Sequence, residues 1–289
     1  MPSLDELKIK HPEIRNDFTI DQHWERYGAA EHGIWKMLFE RQAAVLPGRA
    51  AREFLDGITK LNLAADAIPE FERVSDSLEK LTGWRVVAVP SLVPDAIFFD
   101  HLANRRFPAG QFIRRADQLD YIEEPDVFHD FFGHVPMLAH PVFADYMEAY
   151  GKGGQRALNE FGRLKNLARL YWYTVEFGLI ESPEGLRIYG SGIVSSRAES
   201  IYSVENRSPN RIRFDLERVM RTEYRIDDFQ ESYFVIRSFD DLFAETYKDF
   251  AALYQKLASG PTYKPGDLLP TDEILTRGTH SYVGGSHAA

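Results

Sequence analysis

Apolar side chains recur at helical spacing from Trp24 through Tyr27, Ile34, Trp35 and Leu38 to Phe39. This predicts a helix that starts from Asp21 as its N-cap and ends before Pro47. A second helix is expected over residues 49–64, with Phe54, Ile58 and Leu61 on one face, and a third starts near Pro69 and stops at Gly83. Residues 85–90 form a short β-branched run, 94–103 read as a brief helix and 107–114 as an extended segment. Helical patterns return over 141–150 and 155–180, with Gly151, Gly153 and Gly154 as the expected break between them. Residues 186–189 suit one arm of a hairpin, 196–204 a helix, and Ser208-Pro209-Asn210 a turn. Residues 1–20 are polar and aperiodic, so an extended or mobile N-terminal arm is expected, and 278–289 read as a disordered tail. With no repeat and no linker between, residues 21–277 read as a single, mainly α (α+β) catalytic-size domain.

Composition narrows the range of functions. A chain of 289 residues that is 44% hydrophobic can bury a sizeable core. Its net charge of −10, without any basic block, argues against nucleic acid or an anionic membrane as partner and leaves a small molecule as the expected ligand. There is no cysteine, so any metal must be held by nitrogen and oxygen donors. No run approaches the roughly 18 apolar residues of a membrane span, and the first residues lack the apolar core of a signal peptide. A cytoplasmic protein is expected.

Candidate chemistry concentrates in residues 124–138, EPDVFHDFFGHVPML, where His129 and His134 stand among phenylalanines. A buried imidazole needs a partner for each ring nitrogen, and a shared metal is one way to supply it. On an ideal helix, residues five apart point about 140° from each other, because each residue turns roughly 100°. Gly133 and Pro136 can distort the last turn and bring the rings together. Taken alone, the pair also suits ordinary core histidines. Residues 171–180, YWYTVEFGLI, shift the balance, because Glu176 is their only charge and a buried carboxylate needs a cation or a metal. Two imidazoles and one carboxylate make the facial triad of mononuclear non-haem iron(II) sites. The HExxH zinc pattern fits worse, since here the histidines are five apart and Asp130 follows the first.

These two segments, together with YGSGIVSS at residues 189–196, resemble the pterin-dependent aromatic amino acid hydroxylases, most closely their short bacterial phenylalanine-hydroxylating members. The resemblance runs from about Trp24 to about Leu257 and rests on three motifs in the same order. It implies a helical basket with small β elements, and iron(II) on His129, His134 and Glu176. It implies further that Arg114 binds the substrate carboxylate, a task suited to the guanidinium fork, with Arg115 the next candidate. Trp172 and Phe177 would wall the aromatic pocket, and Ser195 would support that end of the site and the first histidine. Phe98 would stack on the pterin and Asp130 would lie beside it, a shorter acid than the Glu of the animal enzymes. Ile122 stands where animal phenylalanine enzymes carry Thr.

The activity so implied is hydroxylation of L-phenylalanine to L-tyrosine with O2 and a tetrahydropterin, by an unregulated monomer. Trp172 and the apolar Ile226 both favour phenylalanine over tryptophan or tyrosine, although a tryptophan- or tyrosine-hydroxylating member is the nearest alternative. A metal-dependent hydrolase using the same three ligands would need neither O2 nor pterin. An inactive binding module would take up phenylalanine without iron or turnover.

Overall fold

Phe71–Thr82 is the helix that the sequence marks most clearly, ended by Gly83 at φ 78°, whose N–H caps the Glu79 carbonyl. The protein is described here by a computed structural model covering residues 4–120, 122, 124–162, 164–248 and 250–282. Backbone contacts sort the chain into two units, Met1–Ala44 with Arg52–Gln155, and Val45–Ala51 with Arg156–Ala289.

In the first unit, β1 (Arg85–Val89) pairs in parallel with β2 (Arg106–Gly110), joined by the Asp95–Ala103 helix. The core is aromatic. Trp35 meets Phe128 at 5.3 Å, Phe128 stacks on Phe132 at 4.7 Å and Phe71 on Phe131 at 5.0 Å. The phenylalanines of the histidine segment are therefore its anchors. Gly57 lets the Arg52–Lys60 helix close on Pro136, because a Cβ there would lie 2.1 Å from the proline carbonyl oxygen.

Several boundaries differ from the sequence expectation. The first long helix begins at Ala29, not Asp21, because the Trp24 indole donates to the Ile68 carbonyl at 2.6 Å and the Tyr27 hydroxyl donates to the Gln111 carbonyl. Only after Gly28, whose N–H donates to Glu31, does the helix start. Gly151, Gly153 and Gly154 do not break a helix. Pro141–Arg156 runs through them, since a Cβ on Gly151 would lie 2.4 Å from the Ala103 nitrogen and one on Gly154 2.1 Å from the Phe99 ring. Gly151 and Gly154 are close-packing glycines, while Gly153 faces open space. The expected mobile arm is structured from Leu4 onward, with a Leu4–Lys10 helix, buried Leu7, Ile14, Phe18 and Ile20, and the Ile20 N–H on the Ala88 carbonyl at 2.9 Å.

The second unit holds a mixed five-stranded sheet in the order β4-β3-β6-β5-β7. Its strands are β3 (Leu179–Ser182), β4 (Gly185–Ile188), β5 (Asn210–Arg213), β6 (Ser232–Ile236) and β7 (Ile274–Thr276). The expected hairpin is β3–β4, and Ala51 and Arg49 extend its edge through bonds to Ile188. Central β6 is parallel to both β3 and β5, and all five of its residues are buried. The helix expected over 155–180 is instead interrupted by Gly162 at φ 60° and ends in β3. In the tail, the Gly278 N–H donates to Asn210 and the Tyr282 N–H to Ser208, both at 2.9 Å, so its described part is held; residues 283–289 lie outside the described residues.

The core of this unit also contains an acid. Glu199, in the Arg197–Glu205 helix that Ser196 caps, is buried and accepts hydrogen bonds from the Tyr233 hydroxyl and the Gln230 N–H. Burial pushes its carboxyl up to about 7 and Asp228 adds to the rise, against those two bonds. Between the ordinary carboxylate range and that value, the folded protein holds a proton that the unfolded chain has released. This contribution to stability is full at low pH, falls as pH rises through that window and is lost above about 7. Glu199→Gln cannot ionise and should gain on the native protein by about 2–3 kcal/mol between about pH 5 and pH 8 in urea denaturation. A difference that stays constant over that range would show that Glu199 titrates as an ordinary carboxylate.

Candidate metal centre

The five-residue spacing of the histidines is resolved by the backbone. Phe128–His134 is a π-helical turn, with i→i+5 hydrogen bonds in place of i→i+4, and it passes directly into the Val135–Leu138 helix that contains Pro136. Widening the turn by one residue brings positions five apart onto one side, which the α geometry does not do. The two rings stand 5.2 Å apart between centroids and 78° to each other. His134 is 5% exposed and lies against the Phe107 ring at 4.8 Å.

Glu176 closes a second π turn, Trp172–Glu176, whose carbonyl at Trp172 accepts the Phe177 N–H at 2.8 Å. Ser191 Oγ lies 2.8 Å from Glu176 Oε2 and 3.0 Å from the Val175 carbonyl, so its one proton can hold the carboxylate in place. Gly190 permits this approach, since a Cβ there would be 2.4 Å from the Glu176 carbonyl oxygen. His129, His134 and Glu176 each offer a ligand atom, and these atoms lie within 4.8 Å of one another. Two nitrogens and one oxygen, with no thiolate, suit iron(II).

Of the other predicted site residues, Arg114 is buried and paired with Asp126. Its Nε and Nη2 each donate to the carboxylate at 2.8 Å, its backbone N–H does so at 2.9 Å, and Nη1 is 3.5 Å from the Leu119 carbonyl. Arg115 by contrast is exposed and pairs with Asp117. Asp126 also accepts the His129 N–H at 3.0 Å. Asp130 accepts the Gly110 N–H at 2.8 Å, and Phe98 is half-buried with its ring edge toward Phe99. The Trp172 indole packs on Tyr224 at 4.3 Å and on Phe177 at 4.7 Å. Ser195 donates to the Ser191 carbonyl at 2.7 Å, within the same short helix. Ile226 is 66% exposed.

Residues 15–264 match the biopterin-dependent aromatic amino acid hydroxylases. The chain belongs to this family. It is 62% identical to the phenylalanine-4-hydroxylase of Caulobacter vibrioides, over 94% of this chain and 92% of that one. The corresponding figures for the Chromobacterium violaceum enzyme are 56%, 91% and 88%. The crystal structure of the C. violaceum enzyme with iron and phenylalanine bound aligns with a TM-score of 0.88 at 53% identity, covering 95% of this chain and 100% of that one. The structure of that enzyme with iron(III) and oxidised 7,8-dihydrobiopterin aligns with a TM-score of 0.89 at 54% identity, over 95% and 99% of the two chains. The mainly helical α+β architecture is that of these hydroxylases.

In this hydroxylase chain, sequence reasoning missed two residues that touch the candidate metal ligands. Asp126 lies in the quoted histidine motif, and a buried acid next to a buried arginine was the available signal. Ser191 lies in YGSGIVSS, where attention went to Ser195 instead. An outer hydrogen bond to a ligating carboxylate typically carries 10–100-fold in metal affinity. Ser191→Ala should therefore weaken iron(II) binding about tenfold with an unchanged circular dichroism spectrum. Equal affinities in an anaerobic iron titration would remove Ser191 from the centre.

Proposed function

We propose that the chain is a phenylalanine 4-monooxygenase that converts L-phenylalanine to L-tyrosine with O2 and a tetrahydropterin at iron(II) held by His129, His134 and Glu176. The observation that carries this reading is the convergence of those three donor atoms in a chain more than half identical to phenylalanine-4-hydroxylases over nearly its whole length. When bound, iron and pterin together supply the activation of O2, which no protein side chain provides.

The chain's own groups bind and orient. The Nε–Nη2 edge of the Arg114 guanidinium is committed to Asp126, and Nη1 is the donor we assign to the substrate carboxylate. Trp172 and Phe177 receive the substrate ring, where aromatic contact adds to plain burial. Phe98 is assigned to stacking on the pterin. Asp130, with one oxygen on Gly110, turns the other to the pterin. Ser195 steadies the turn that carries Ser191. Residues 21–277 act as one catalytic domain in a cytoplasmic monomer. Among the described residues no helix is long and apolar enough to cross a membrane.

Iron-loaded protein should form tyrosine from phenylalanine only when O2 and a tetrahydropterin are both supplied. The Glu176→Ala variant should lose most of its iron and nearly all turnover, because two protein ligands cannot hold the ion as three do. Full activity of that variant, or product formation without pterin, would sink the assignment. Arg114→Lys keeps a charge beside Asp126 but loses the fork. It should raise KM for phenylalanine by about one to two decades, the worth of a charge-assisted bond of roughly 1.5–3 kcal/mol, with the iron retained. An unchanged KM would place the substrate carboxylate elsewhere.

A further inference from the structure

We infer that Gln230 is a positioning residue for substrate recognition: its side-chain carbonyl fixes the setting of the Trp172 indole, and so the surface that the substrate ring meets. The inference rests on the functional reading above and adds to it a residue outside the expected pocket wall. Trp172 carries one polar hydrogen, and the indole Nε1–H donates to Gln230 Oε1 at 2.9 Å. Its ring stacks nearly parallel on Tyr224, at 14°, and lies tilted by 30° against Phe177. Parallel packing leaves a ring able to slide and to turn in its own plane. A directional bond at the ring edge removes that freedom.

The acceptor is itself held on both sides. Gln230 is 2% exposed, and its Nε2 donates to the carbonyls of Arg225 at 2.9 Å and Asp228 at 3.4 Å. An amide flipped by 180° would set its oxygen against those two carbonyls and its NH2 against the indole N–H, so only one orientation satisfies every partner. The Gln230 backbone N–H donates to Glu199 Oε1 at 3.4 Å, and the same oxygen accepts the Tyr233 hydroxyl. From the buried acid outward, each bond constrains the next, and the last constrains the indole.

The test uses the iron-loaded enzyme with a tetrahydropterin and compares Gln230→Leu with Gln230→Glu. Both variants lose the amide donors to Arg225 and Asp228, but only the leucine loses the acceptor for Trp172. Gln230→Leu should raise KM for phenylalanine about tenfold with kcat within about twofold, the effect of an unmet indole donor. It should also change the phenylalanine-to-tryptophan preference by about fivefold, while Gln230→Glu holds that preference within about twofold. In a Trp172→Phe background, which has no N–H to satisfy, Gln230→Leu should change KM by less than about twofold. Equal shifts in both backgrounds, or in the Leu and Glu variants alike, would overturn the inference. The Trp172 Nε1–H resonance gives a second readout that does not depend on turnover, and it should move in Gln230→Leu and stay in Gln230→Glu. If wild-type enzyme makes no tyrosine, the functional reading fails on its own account, and this resonance still decides whether Gln230 sets the indole. A resonance unmoved in Gln230→Leu overturns the inference, as does retention of normal KM and preference by that variant.

Discussion

The Asp126 carboxylate is the constraint on which the histidine turn depends. It is fully buried and faces the guanidinium fork and backbone N–H of Arg114 on one side and the backbone N–H of His129 on the other. Burial alone would push its carboxyl up. The hydrogen bonds and charge of Arg114, with the two backbone donors, outweigh that and hold it below the usual carboxylate range. A buried pair of this kind adds little net stability compared with a hydrophobic replacement, yet losing one partner leaves an uncompensated charge and costs about 3–5 kcal/mol. Its value here is positional. One anion fixes both the arginine assigned to the substrate carboxylate and the start of the turn that carries both histidines.

That turn and the one before Glu176 use the same device. A π turn gives up regular helical geometry, and such turns persist where other interactions hold them. Around His129 and His134 the compensation is visible in the packing of Phe128, Phe131 and Phe132 into the aromatic core. Around Glu176 it comes from the Tyr173 ring on Phe234 of the central strand, at 4.9 Å, and from the close approach of Gly190. The three candidate ligands are therefore carried by backbone that large buried side chains hold in place.

The parts that were legible in the sequence are those written in local chemistry. The helix ending at Gly83, the β4 arm of the hairpin and the helix that follows Ser196 are each signalled by residues within one turn of the feature. The candidate metal ligands stand out in the sequence because polar and charged groups in an apolar run are costly and draw attention to themselves. The remainder depends on contacts distant in sequence. Nothing near Gly154 announces the Phe99 ring, and so a glycine cluster in which Gly151 and Gly154 allow close packing reads as a break. Central strand β6 has no alternation because both its faces are buried, and a short apolar run of that kind carries no period by which to recognise it. The start of the first long helix was misplaced because Trp24 bonds to a carbonyl more than forty residues away. Among site residues, Ile226 was expected at the pocket wall and is instead largely exposed.

The exposure of Ile226 changes the account of substrate choice. An apolar residue facing solvent contributes little to discrimination against an added hydroxyl, so on the proposed reading the burden falls on Trp172 and Phe177. The one polar hydrogen of Trp172 is already committed to Gln230, and Phe177 has none. A phenolic hydroxyl brought against these rings would leave water without finding a replacement partner there, a loss of about 1–3 kcal/mol. That amounts to roughly the hundredfold limit that an apolar pocket reaches against an added hydroxyl. On the proposed reading, the bond inferred to set the indole would also withhold a donor from tyrosine, and a preference for phenylalanine would follow from an interaction already satisfied before any substrate arrives.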